Sequence, residues 1–191
     1  MGTTTRTPAV PASIHQLKVT LAGIRPPIWR RLRVPSDVTL ATLHGILQAA
    51  MGWEDSHLHR FRVGAATYGD RGLLGDVVDR GERVARLSQV APSRGSKLAY
   101  DYDFGDGWEH ALVVEAVRPP EPGVPSPVCV AGKRACPPED CGGPWGYGEL
   151  LAAIGNPLHP EHGARLAWLG GPFDPEAFDV ADVNRRLAKH R

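Results

Sequence analysis

Tyr100-Asp101-Tyr102-Asp103-Phe104-Gly105-Asp106-Gly107-Trp108-Glu109-His110, continued by Ala111 to Val117, decides the fold of this 191-residue chain. Tyr100, Tyr102 and Phe104 alternate with Asp101 and Asp103, the period of a half-buried strand. The glycines around Asp106 then turn the chain, and WEHALVVEAV returns as a partner strand. A three-residue loop with a left-handed glycine pairs Phe104 with Trp108, Tyr102 with His110 and Tyr100 with Leu112. Every large aromatic then falls on one face, whereas a two-residue Asp-Gly turn would scatter them. The same register sets Asp103 across from Glu109 on the opposite face, with Asp101 beside it and Asp106 at the tip.

Upstream, His15 to Leu21 alternates as a strand, and Ile28 to Val34 as a second. The second has Ile28, Arg30, Leu32 and Val34 on one side and Trp29, Arg31 and Arg33 on the other. Leu40, Leu43, Leu47, Ala50 and Met51 recur at helical spacing, behind candidate caps Ser36, Asp37 and Thr39 and ahead of a stop at Gly52. His57 to Val63 reads as a strand with a short partner at 66–68, and one helical turn is expected within 84–90. Five prolines in residues 118–127 make a stiff, extended connector. The stretch from Cys129 to Gly148 reads as a loop, and short helices follow at 148–154, 161–168 and 180–189. The expected architecture is α+β: a hairpin-rich mixed or antiparallel sheet with one packed helix, in a β-grasp-like layer, and a helical C-terminal part. Residues 13–191 form one domain in this reading, and residues 1–12 a flexible arm.

The charge balance, 22 Lys+Arg against 21 Asp+Glu, is not that of a nucleic-acid coat, which needs a clear basic excess. Residues 14–62 carry seven Lys or Arg and three Asp or Glu, whereas 100–115 carry five Asp or Glu and no Lys or Arg. Nucleic acid therefore stands as a partner only through local asymmetry. No apolar run approaches the ~20 residues of a membrane helix, and the N-terminus has no hydrophobic core of a signal peptide. A soluble, cytoplasmic protein with no membrane partner is expected.

Three chemistries can be read from the residues. The opposed carboxylates of the hairpin call for a cation, either a divalent metal or an arginine such as Arg30, Arg31, Arg60 or Arg62; otherwise they are a solvated strand face. Cys129, Cys136 and Cys141 have the spacing C-x6-C-x4-C, of which Cys136 and Cys141 fit zinc ligands if a histidine such as His110 joins them. Without a metal they are small semi-buried thiols of a stiff loop. His57 and His59 form an H-x-H on one strand face, a metal-ligating pair or a polar sheet surface. Zinc or another divalent cation is thus the cofactor these residues would take. The chain has no Walker loop, G-x-G-x-x-G, H-E-x-x-H or G-x-S-x-G, so no enzyme class is indicated by motif. The early serines, Ser13 and Ser36, lack the setting of a serine resolvase.

Four segments together resemble one family: PPIWRRLRVP (26–35), AAMGWEDSHLHRF (49–61), YDYDFGDGWEH (100–110) and CPPEDCGGPWGY (136–147). The tail FDPEAFDVADVNRRL (173–187) agrees as well. The chain is similar to the plasmid (Ri-type) ORF-three-like family, also labelled insertion-element passenger TnpR-type proteins, over residues 14–188. The resemblance implies an α+β domain carried on plasmids, mobile elements and chromosomes. It also implies a shared site at Asp101, Asp103, Asp106, Trp108, His110, Glu139, Asp140 and Tyr147, with Cys136 and Cys141 beside it. The function expected on these grounds is a non-catalytic binding or accessory module. The alternative is a metal-dependent enzyme, with nucleic-acid processing as one form, that uses the acidic hairpin and the cysteine loop.

Overall fold

The computed structural model describes residues 13–190, so the arm expected over residues 1–12 lies outside the described residues. The strands are β1 (Ile14–Leu21), β2 (Trp29–Pro35), β3 (His59–Val63), β4 (Ala66–Gly69), β5 (Arg80–Gly81), β6 (Lys97–Tyr102), β7 (Trp108–Arg118) and β8 (Val128–Lys133). They form one eight-stranded sheet in the order β5-β4-β3-β6-β7-β1-β2-β8, antiparallel throughout except for the short β4–β5 pair. The helices are α1 (Leu40–Met51), α2 (Arg71–Leu74), α3 (Leu87–Val90), α4 (Gly143–Gly155), α5 (His162–Leu169) and α6 (Val180–Leu187). This is the expected α+β class with helices at the C-terminal end. Among the described residues no helix is long and apolar enough to cross a membrane.

Strand alternation separates a core face from an open one. His15, Leu17, Val19 and Leu21 are buried on β1 and Arg30, Leu32 and Val34 on β2, while Gln16, Lys18, Trp29, Arg31 and Arg33 are partly open. The buried stripe of α1 joins this core. Thr39 caps the helix by accepting a hydrogen bond from Thr42 N–H, and Gly52, at φ 91°, ends it. Leu40, Leu43, Ile46 and Leu47 are fully buried, each contributing about 1.5–3 kcal/mol of apolar burial.

Arg30 is the exception on the core face, and its chemistry explains it. Its guanidinium lies at the carbonyl-rich C-terminal end of α1, donating to Ala50 O (3.2 Å), Lys133 O (3.1 Å) and Trp29 O (2.9 Å), with the Phe178 ring 4.7 Å away. It is therefore not a counter-charge for the hairpin, as the sequence suggested. Arg60 and Arg62 take that role, and Arg31 pairs with Glu115.

The structure corrects three readings. In the hairpin, Tyr102 faces Trp108, Tyr100 faces His110 and Leu98 faces Leu112, leaving residues 103–107 as the loop. Asp103, at φ 54°, leaves the ladder because its Oδ1 accepts from Gly105 N–H (2.9 Å) and Asp106 N–H (3.2 Å), an Asx-type turn that replaces strand pairing. The slip is of two residues, so the side chains that remain in the ladder keep their faces. Asp101 rather than Asp103 opposes Glu109, and Phe104 moves outside, its ring 5.4 Å from the Arg60 guanidinium. Second, Val128–Lys133 is a strand, not loop. Its pairing with β2 shifts register between Arg31 and Leu32, which breaks the alternation a sequence reading needs. Its outer edge is covered by α6, where Asn184 bonds both Cys129 N–H (2.7 Å) and Cys129 O (2.9 Å). Third, α4 begins at Gly143 rather than 148, since Pro144 sits in its first turn, where no N–H is required.

Candidate metal centre

The tip of the β6–β7 hairpin and the cysteine-bearing loop meet at the start of α4. Gly142 is the N-cap of that helix and has no capping side chain, so Asp106 supplies one from the hairpin: its Oδ2 accepts from Gly142 N–H at 3.1 Å. Gly143, at φ 69°, lies so close that a β-carbon there would be 2.2 Å from Asp106 O, and only glycine fits. Nearby, the Tyr102 hydroxyl donates to Glu139 and accepts from Ser56 N–H (3.0 Å). Trp53 Nε1 donates to Pro137 O at 2.9 Å.

Beside these contacts, and sharing Ser56 with them, lies a cleft of about 740 Å³ between α1, residues 55–59, α2 and the hairpin tip. Three aspartates hold left-handed backbone there: Asp55 (φ 59°), Asp103 (φ 54°) and Asp140 (φ 58°). Aspartate is one of the few side chains to tolerate that region. Asp140 Oδ1 is 3.0 Å and Asp103 Oδ2 3.7 Å from His57 Nε2. The buried Nε2 nevertheless makes no hydrogen bond: Asp103 Oδ2 is beyond hydrogen-bond distance, and Asp140 Oδ1 lies off the direction of a ring N–H. The three ligand-capable atoms lie within 4.8 Å of one another. One imidazole with two carboxylates suits a divalent cation such as Mn²⁺ or Zn²⁺.

A second constellation lies deeper in the same cleft. The His44 and His59 rings stack with centroids 3.4 Å apart and planes within 4°. His44 Nδ1 meets the Tyr100 hydroxyl and His44 Nε2 meets Asp55 Oδ1, both at 2.7 Å. Gln48 closes a ring, donating to the Tyr100 hydroxyl (2.8 Å) and accepting from Asp55 N–H (3.1 Å). His59 Nε2 meets Glu82 Oε2 at 2.8 Å. Burial first, and then the neighbouring His59, lower the pKa of His44 and keep it neutral. Asp55, Asp70, Glu82 and Asp103 line the cleft against one guanidinium, Arg83, which is paired with Asp70 at 3.0 Å. The cleft is an electrostatic well for cations.

The site residues read from sequence separate into groups. Asp103 lines the cleft, Asp140 approaches His57 at its edge, Asp106 caps α4, and Glu139 holds Tyr102. Asp101 lies on the other face of the sheet, bonded to Arg60 (2.8 Å) and Arg62 (2.9 Å). Burial alone would raise its pKa, and the two guanidiniums outweigh that and hold it low. Trp108, His110 and Tyr147 are core residues, and each buries one polar atom without a partner. Burial pushes His110 down to about 4 and Tyr147 up to about 12. Cys136 Sγ takes a contact from Arg30 at 3.2 Å, and burial drives Cys141 up to about 12. Among the described residues, two groups of three can hold a metal, and neither contains Cys136, Cys141 or His110. The sequence reading missed His44, Asp55 and Glu82. The available signal was His44 and Gln48, polar residues spaced i, i+4 on the buried stripe of α1.

The family model for plasmid pRiA4b ORF-3-like protein matches residues 13–182. Uncharacterized protein y4hQ of Sinorhizobium fredii (strain NBRC 101917 / NGR234) is 40% identical over 178 residues, covering 92% of this chain and 91% of that protein. The crystal structure of MM3350 from Methanosarcina mazei Go1, a protein of unknown function, superposes with a TM-score of 0.81 at 40% identity, over 89% of this chain and 96% of that one. The chain belongs to the plasmid pRiA4b ORF-3-like family.

Proposed function

We propose that the protein is an accessory ligand-binding module that holds a divalent cation on His57, Asp103 and Asp140 and uses it to retain a small anionic molecule in the cleft. One observation carries this reading: His57 Nε2 is buried between two carboxylates and hydrogen-bonded to neither. An unpartnered buried nitrogen is costly, and a shared cation would satisfy all three groups. The acidic lining supports the cation, and the volume of about 740 Å³ leaves room for a bound molecule beyond it. Nucleic acid is a poor occupant for a cleft of this sign.

The test is calorimetric titration of the chelator-treated protein with Mn²⁺. Binding is expected in the native protein, with at least ~10-fold weakening in Asp140→Asn, a change the left-handed backbone tolerates. Unchanged Mn²⁺ affinity in that variant would end the reading. A metal-dependent hydrolase is the second reading, favoured by the exposed side of the triad. Asp140 is 71% exposed, so coordination positions stay open to water. Turnover of a chromogenic ester or phosphate panel, lost in Asp140→Asn, would select it.

A further inference from the structure

We propose that the same cleft holds a second cation on His44, Asp55 and His59, with the Glu82 carboxylate supporting His59, an inference that builds on the single-ion reading above. The ligand atoms of His44, Asp55 and His59 lie within 4.8 Å of one another. The set offers two imidazoles and one carboxylate, whereas the His57 group offers one imidazole and two carboxylates. Nitrogen-rich sets favour Zn²⁺ and Co²⁺ over Mg²⁺ and Ca²⁺, so the deeper site is the more transition-metal-like.

Three features support it beyond the cluster itself. Glu82 is a buried carboxylate, its side chain 5% exposed, and among the described residues its hydrogen-bond partner is His59. A carboxylate so deep needs a positive neighbour, and the guanidinium of the adjacent Arg83 is turned to Asp70. The two imidazoles are stacked 3.4 Å apart with planes within 4°, so two ring nitrogens are presented side by side to one point of the cleft. Finally, the surroundings match what holds a metal-bound histidine in place. His44 Nδ1 is engaged by the Tyr100 hydroxyl, which Gln48 also bonds, so Nε2 is the nitrogen turned to Asp55 and the cleft. Asp55 is itself fixed by its N–H to Gln48 Oε1.

The experiment is equilibrium dialysis of the full chain against micromolar Zn²⁺ with elemental counting, repeated with Co²⁺ for its visible absorption. Two ions per chain are expected. Asp55→Asn, at an exposed side chain and a backbone conformation asparagine accepts, should weaken one of them at least ~10-fold. The isosteric Glu82→Gln should do the same, while Asp140→Asn removes the other ion. One ion per chain, lost in Asp140→Asn and indifferent to Asp55→Asn and Glu82→Gln, overturns this inference and leaves the single-ion reading intact. One ion lost in Asp55→Asn and indifferent to Asp140→Asn does the reverse. No ion under either metal removes both. Circular dichroism of each variant separates loss of the site from loss of the fold.

Discussion

Asp106, at the tip of the β6–β7 hairpin, caps a helix that begins 36 residues later, its carboxylate accepting the N–H of Gly142 at 3.1 Å. This long-range cap ties the hairpin to α4, and the backbone of Gly143 is pressed against Asp106 O as a result. Asp106→Ala should cost about 1 kcal/mol, the usual value of a lost N-cap. Gly143→Ala should cost more, ~3 kcal/mol or above, since it combines a strained φ with a backbone overlap. Urea denaturation of the two variants measures both. Equal and small effects would mean that the hairpin and helix do not touch.

Asp101 and Asp103 are two residues apart and should behave oppositely. Asp101 is half-buried between two guanidiniums on the far face, so Asp101→Asn should destabilise by about 1–3 kcal/mol and leave Mn²⁺ affinity unchanged. Asp103→Asn keeps the turn-forming oxygen and the left-handed backbone, so its main effect should be on Mn²⁺ affinity. Paired denaturation and calorimetry would expose a reversal of these roles.

Stability should fall with acid well above the carboxylate range. Burial lowers the pKa of His15 and takes His110 to about 4 from 6.5. Both are neutral when folded and take up protons when unfolded. The contribution of His110 is therefore complete above pH ~6.5 and is lost as the pH falls towards about 4, and His15 acts in the same direction. For His110 the 2.5-unit difference corresponds to about 3 kcal/mol. The urea midpoint should drop steadily between pH 7 and 4.5, with a shallower slope in His110→Gln. A flat profile in the native protein would contradict the burial of these rings.

The thiols should be inert. Cys129 is 2% exposed and Cys141 8% exposed, and burial raises the pKa of all three cysteines. Modification by a disulfide reagent at pH 8 should be at least ~100-fold slower in the native protein than in urea. Cys136→Ser should leave the number of bound Zn²⁺ ions unchanged. A Zn²⁺ ion lost in that variant would return the cysteine loop to the metal chemistry.

The local alternation of β1, β2, β6 and β7 and the 3.6-residue stripe of α1 were legible because one buried face imposes a period on the chain. The hairpin's aromatic face was legible for the same reason, while its register was not. A two-residue slip conserves parity, and only the hydrogen bonds of Asp103 choose between the alternatives. β8 escaped because an edge strand with an irregular register leaves no clean alternation.

Within the site, sequence distinguished Asp103 and Asp140 by composition but grouped them with Asp101, which faces away, and with Cys136, Cys141 and His110, which belong to neither candidate metal group. The sequence by itself determined the α+β class, the family and the acidic character of the hairpin, all properties of short windows and of motif order. The partners of each carboxylate were decided by tertiary structure alone. Asp101 finds Arg62 across a strand, and Asp140 finds His57 from 83 positions away. Such pairings depend on loop directions set by left-handed aspartates and on helix placement, and neither leaves a periodic trace in the chain.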